Sequence, residues 1–234
     1  MSPDVTVVIP VLDRSIVTEA VASTLAQTDV AVEVVVVDDG SNDAIASLVD
    51  RIGDEHPTVR VVHQPNRGPS AARNAGVTAA TAPFVTFLDS DDLMTADRLR
   101  RQLDAWHEAG GDAFVVGREE VQVAPGVQLP IHEVARIERG EQRYLTSMLL
   151  HRDQFGRVGG FDESFRLAED VDMAVRLTDA GFRMIELDQI VVVRRIFGDN
   201  LVLDQAGVNA ALFEVYRRRT RRMRGGQSSP APDR

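Results

Sequence analysis

The residues of this chain best suited to chemistry are carboxylates placed where apolar runs stop. Asp89-Ser90-Asp91-Asp92 follows Phe84 to Leu88, Asp38-Asp39 follows Val32 to Val37, and Pro10 and Asp13 follow Val5 to Ile9. An Asp-x-Asp pair at a strand end sets two carboxylates on one side of the chain, where they repel unless a cation sits among them. Oxygen ligands of this kind suit Mg²⁺ or Mn²⁺, ions that bridge phosphates. Asp92 also fits as the cap of a helix starting near Thr95, and Glu169-Asp170 as first-turn acids that match a helix dipole. Asn66 to Gly76 is a glycine-bearing loop entering a small-residue helix. Its first N–H groups and Arg73 suit an anionic phosphate, although Arg73 fits equally as a salt-bridge partner.

Composition removes many alternatives. There is no cysteine, which excludes disulfides, thiolate nucleophiles and iron–sulfur clusters. There is no lysine either, so all 26 basic residues are arginine, and Schiff-base chemistry and a P-loop lysine are excluded. The histidines at 56, 63, 107, 132 and 151 show no metal-binding spacing. Residues 217–234 hold seven arginines and one acid, a charge of +6. With a net charge of −10 for the whole chain, the remaining body carries −16. So acidic a body is a poor nucleic-acid binder.

These side chains need a frame, and the hydrophobic pattern supplies one. The 234 residues, 44% hydrophobic, suffice for one domain with a substantial core. Strand-like runs at Val5–Ile9, Val32–Val37, Val59–Val62 and Phe84–Leu88 alternate with helical stretches at 14–27, 42–54 and 70–80. The fold class is therefore α/β, with a mainly parallel sheet flanked by helices. Ligands of such sheets sit beyond the carboxyl ends of the strands, where the acids are. Further on, the pattern predicts helices over 95–109 and 168–180, strands over 113–117 and 190–193, and a loop over 124–135. A last helix from Leu203 to about Arg222 leads into a tail expected to be disordered. Trp106, at helical spacing from Leu99 and Leu103, is expected in the core. No run approaches the ~18 apolar residues of a membrane span and no leader pattern precedes Val5, so the cytoplasm is the expected location.

Thr6 to Pro10, Glu33 to Ser41, Asn66 to Gly76 and Phe87 to Asp92 resemble, in order, the motifs of family 2 glycosyltransferases of the GT-A fold. Val158-Gly159-Gly160-Phe161-Asp162-Glu163 and Glu169-Asp170-Val171-Asp172 resemble that family's later motifs, so the resemblance spans residues 5 to about 200. It implies one GT-A domain over 1–216, with a nucleotide-sugar half (5–92) and an acceptor half (93–216), and the basic segment 217–234 is expected to be a disordered tail. It implies that Pro10, Asp13, Asp38, Asp39 and Arg73 lie around the donor nucleotide. Of the Asp-x-Asp pair, Asp89 would face the ribose and Asp91 would hold Mn²⁺ or Mg²⁺ on the diphosphate. Asp170 matches the general base of inverting members.

One position departs from the pattern. Where many relatives carry a histidine over the diphosphate, the segment Arg194-Arg195-Ile196-Phe197-Gly198-Asp199-Asn200 has Phe197, leaving Arg194 or Arg195 as the phosphate contact. The leading expectation is an inverting transferase using a UDP-, GDP- or TDP-sugar. A nucleotidyltransferase is disfavoured because Val11-Leu12-Asp13-Arg14 offers no glycine-rich loop. A non-catalytic sugar-nucleotide binder is the other reading. Val208, Leu212, Val215 and Tyr216 ahead of the arginine cluster also raise weak peripheral contact with an anionic membrane, the inner face of the cell membrane being the expected one.

Overall fold

The computed structural model describes residues 2–139, 145–198 and 205–225. Its first half is the predicted alternation: β1 (Val5–Val11), α1 (Val17–Leu25), β2 (Val32–Asp38), α2 (Asp43–Glu55), β3 (Val59–His63), α3 (Pro69–Ala79) and β4 (Phe84–Phe87). The second half contains β5 (Leu93–Met94), α4 (Arg98–Glu108), β6 (Ala113–Val123), α5 (Ile131–Glu138), β7 (Leu149–His151), α6 (Arg152–Arg157), α7 (Glu169–Asp179), β8 (Arg183–Ile196) and α8 (Gln205–Gly225). One eight-stranded sheet runs in the order β3-β2-β1-β4-β7-β6-β8-β5. The first four strands of that order are mutually parallel, and β7 joins β4 antiparallel.

Helices cover both faces, as a sheet with near-continuous apolar strands requires. On one face Val8, Val35, Val37 and Phe87 pack with Ala72, Phe155, Met173 and Leu177 from α3, α6 and α7. On the other, Val7, Ile9, Val34 and Val36 pack with Val21, Val49, Ile52 and Leu99 from α1, α2 and α4. The small residues of α3 let it approach closely. A Cβ on Gly76 would fall 2.2 Å from a Val8 methyl. Trp106 packs edge-on to Phe84 with ring centroids 4.7 Å apart, the core role expected of it. Asn42 caps α2 by accepting from the N–H groups of Ala44 and Ile45.

The structure corrects four expectations. Strand β6 continues to Val123 and β8 starts at Arg183, because each polar, largely exposed extension pairs in parallel with the buried part of the other strand: Arg183 to Leu187 with Ala113 to Gly117, and Arg118 to Val123 with Ile190 to Ile196. The expected loop over 124–135 contains the start of α5, entered through Pro130. Asp92 does not cap α4; it accepts the backbone N–H of Arg195 at 2.8 Å. Finally, α8 is helical to Gly225, so the first half of the basic tail is ordered helix, while 226–234 and the Asp199-Asn200 pair lie outside the described residues.

Candidate active site

The acidic loop begins where β4 ends. Leu88 still donates to the Val8 carbonyl, and a turn closed by the Asp92 N–H on the Asp89 carbonyl gathers the three acids. One carboxylate oxygen from each of Asp89, Asp91 and Asp92 lies within 4.8 Å of the others. Burial, then the charge of Asp89, pushes the Asp91 carboxyl up to about 6. Burial, then Asp89 and Asp91, raises Asp92 well above the ordinary carboxylate value. Arg14 approaches Asp91 only to 4.0 Å. The nearby arginines offset only part of this rise, and an all-oxygen set whose net balance still disfavours full ionisation fits a hard divalent cation.

Arg73 organises the other side of this loop. Its side chain is almost fully buried, with one guanidinium nitrogen 2.8 Å from Asp89 Oδ1 and another 2.8 Å from Glu169 Oε1. Burial alone would lower its pKa; the charges of Asp89 and Glu169 outweigh that and raise it. Glu169 is itself pushed up by burial, against the pull of Arg73, with the charges of Asp170 and Asp89 adding to the rise. The sequence presented Arg73 as either a phosphate contact or an ion-pair partner; the structure has it paired, with its Nε buried and unpartnered.

Helix α7 opens on Glu169 and Asp170, preceded by Ala168 in the left-handed region at φ 60°. Among the described residues Asp170 has no hydrogen-bond or ion-pair partner, although it stands next in sequence to the clamped Glu169. The segment leading into α7 is fastened to α3 by Asn74. Its amide donates to the Phe161 carbonyl and accepts the Phe161 N–H, both at 2.9 Å. Gly160 is needed there, since it sits at φ 73° and a Cβ would meet Asn74 Oδ1 at 2.9 Å. The roles of Asn74 and Glu169 had not been anticipated. Both residues lay within the quoted motifs, but their partners are distant in sequence.

At the ends of β1 and β2 the predicted donor-side acids are held by their neighbours. Asp38 accepts from the Ser41 N–H and meets His63 Nδ1 at 2.9 Å. Burial favours its neutral form, but the Ser41 and His63 hydrogen bonds prevail and keep its pKa low. Asp39 accepts from Gln64 and from the N–H groups of Arg67 and Gly68, fixing the loop that launches α3. Asp13, at φ 53°, accepts from the Asn42 backbone and side chain, and Pro10 is half-buried just before it.

Of the two candidate phosphate contacts, Arg195 is the one at the acidic loop. It donates through Nε to the Asp91 carbonyl, reaches Glu19 and stacks over Phe197 with 5.6 Å to the ring centre. Arg194 sits instead among Glu119 and Glu133, at 4.0 and 3.7 Å.

A parallel half-sheet joined through the antiparallel strand β7 to a mixed half, beside an acidic turn, is the layout of GT-A glycosyltransferases. Residues 6–165 match the profile of Glycosyl transferase family 2, and the chain belongs to that family. It is 37% identical over 189 residues to the succinoglycan biosynthesis protein ExoO of Rhizobium meliloti (strain 1021), covering 72% of this chain and 53% of that protein. It is 32% identical over 197 residues to the pre-mycofactocin glycosyltransferase of Mycobacterium tuberculosis (strain CDC 1551 / Oshkosh), covering 77% of this chain and 40% of that one. The crystal structure of S. aureus TarS 1–349 in complex with UDP-GlcNAc superposes with a TM-score of 0.70 at 19% identity, over 91% of this chain and 65% of that one. The chain thus spans about half the length of ExoO and less of the mycobacterial relative.

Proposed function

We propose that this glycosyltransferase moves a sugar from a nucleoside-diphosphate donor to an acceptor hydroxyl with inversion at the anomeric carbon. The observation that carries the reading is the Arg73 bridge. It ties the acidic loop to the head of α7 and leaves the neighbouring Asp170 carboxylate without a partner.

In this reading Asp170 accepts the proton of the acceptor hydroxyl as its oxygen bonds to the anomeric carbon. The bond from that carbon to the diphosphate breaks, and the electron pair leaves with the nucleoside diphosphate. Mn²⁺ or Mg²⁺ held by Asp91, with Asp89 and Asp92 beside it, supplies neutralisation of the diphosphate charge when bound. Pro10, Asp13, Asp38 and Asp39 shape the nucleoside cleft through the loops they fasten, with Asp89 on the ribose side. Arg73 holds Asp89 and Glu169 in register, and Arg195, fastened to the acidic loop through the Asp91 carbonyl, is the candidate cation for the diphosphate. TarS, crystallised with UDP and with UDP-GlcNAc, supports a UDP-sugar among the candidate donors.

Phe197 favours a second reading, a relative that binds sugar nucleotides without turning them over. Calorimetric titration with UDP, GDP and TDP, with and without Mn²⁺, on wild type and Asp91→Ala separates the possibilities. Metal-dependent binding of one nucleotide, lost in the variant, together with slow release of that nucleotide from its sugar donor, is expected. Binding without any donor turnover leaves the second reading standing. No binding of any nucleotide overturns both.

A further inference from the structure

The arginines of α8 fall into two groups that face opposite ways. Arg218, Arg219 and Arg222 turn toward the body, flanking Val215, which is buried. Arg218 meets Asp162 at 2.5 Å, Arg219 meets Asp179 at 2.9 Å, and Arg222 lies 3.8 Å from Asp172. These pairs and the stacking of Arg218 over Phe165 at 4.5 Å seat the helix on the domain.

Phe213, Tyr216, Arg217, Thr220 and Arg224 are linked by spacings of three and four (213 to 216 and 217, these to 220, and 220 to 224) and so share the opposite face, flanked by Met223 and Arg221. Phe213 is 68% and Tyr216 69% exposed, and Met223 is more than half exposed. Among the described residues Arg217 bonds only within the helix, to Glu214. Among the described residues, Arg221 and Arg224 have no acidic partner. The stripe read from sequence is thereby split: Val215 is interior, whereas Leu212 and Tyr216 are exposed.

We infer that the outer face of α8 docks on an anionic lipid surface. A row of exposed aromatic and thioether side chains flanked by arginines matches the boundary between acyl chains and negative headgroups, with the rings entering and the guanidinium groups meeting phosphate. The helix lies on this surface rather than through it. At 21 residues it is about 31 Å long, and no helix among the described residues is long and apolar enough to cross a bilayer. The acidic body is no obstacle, because charges beyond about 8 Å are screened at physiological salt. A second copy docked through the same face would set one arginine cluster near another, whereas an anionic lipid surface receives the rings and the guanidinium groups together.

The test is co-sedimentation of the full chain with vesicles of phosphatidylcholine alone and of phosphatidylcholine with phosphatidylglycerol. Two variants accompany it, Phe213→Ser/Tyr216→Ser and Arg221→Glu/Arg224→Glu, both confined to the outer face and checked by thermal melts. Each arginine near an anionic surface contributes about fivefold to partitioning. The charge-reversed variant should therefore lose at least about tenfold in binding to the anionic vesicles, and the aromatic variant a comparable amount, with unchanged melts. Equal binding to both vesicle types, or full binding by both variants, overturns the inference. So does wild-type dimerisation in sedimentation velocity that the aromatic variant abolishes, since the occupant would then be a second copy.

Discussion

Arg73 and Glu169 lie 96 residues apart in the chain and meet at 2.8 Å, with Asp89 held on the guanidinium's other arm at the same distance. A charge this deeply buried is tolerable only while both carboxylates stay in place. The bridge therefore makes the acidic loop, α3 and the head of α7 one mechanical unit.

Arg73→Met leaves Asp89 and Glu169 facing each other without a cation. It should lower the free energy of unfolding by about 3–5 kcal/mol, measured by urea titration. Arg73→Lys, with a single point charge for two carboxylates, should recover only part of that loss.

Asp91→Asn should stabilise the metal-free protein. The Asp91 pKa of about 6 lies above its ordinary value, so the folded state holds that proton more tightly than the unfolded chain. Stability is therefore lost as pH rises from about 4 to 6, by up to about 3 kcal/mol for a shift near two units. The asparagine variant escapes this loss. Its advantage over wild type in thermal melts should be absent near pH 4 and complete by pH 7, and excess Mn²⁺ should reverse it.

His63 carries the opposite sign. Hydrogen bonds that its ring donates to Asp38 and then to Asp50 raise its pKa in the folded state. Its contribution is fully present below the unfolded value near 6.5 and disappears as pH rises through the raised value. Comparing His63→Gln with wild type should show a destabilisation at pH 6 that shrinks by pH 8.5.

Asp170→Asn should leave fold and nucleotide binding intact, because no neighbour among the described residues depends on that carboxylate. Turnover should fall by about 10²–10⁴-fold, read as kcat with unchanged nucleotide affinity in calorimetry.

Asn74→Ala removes three hydrogen bonds that fasten the segment before α7, two with the Phe161 backbone and one to Glu163. It should cost about 2–3 kcal/mol and open residues 158–168 to limited proteolysis.

The first half of the fold is legible in the sequence because β1, β2 and β4 are buried on both faces and read as unbroken apolar runs ended by acids. The outer halves of β6 and β8 are not, because Arg118 to Gln122 alternate on a half-exposed ribbon and carry no apolar run. Pro130 was read as a loop marker, yet a proline at a helix entrance is an equally regular signal. Within the site, the carboxylate cluster follows from local spacing. The burial of Arg73 and the Asn74 latch depend on partners 96 and 87 residues away, which no local pattern encodes.

The contact between the Arg195 N–H and Asp92 spans 103 residues, and this has a consequence during synthesis. At the usual 5–20 residues per second the ribosome needs roughly 5–20 seconds to pass from Asp92 to Arg195. Throughout that interval the three clustered aspartates lack the strand that will brace them. Completion of the acidic cluster is therefore timed by the emergence of β8, not by the strands that carry the acids.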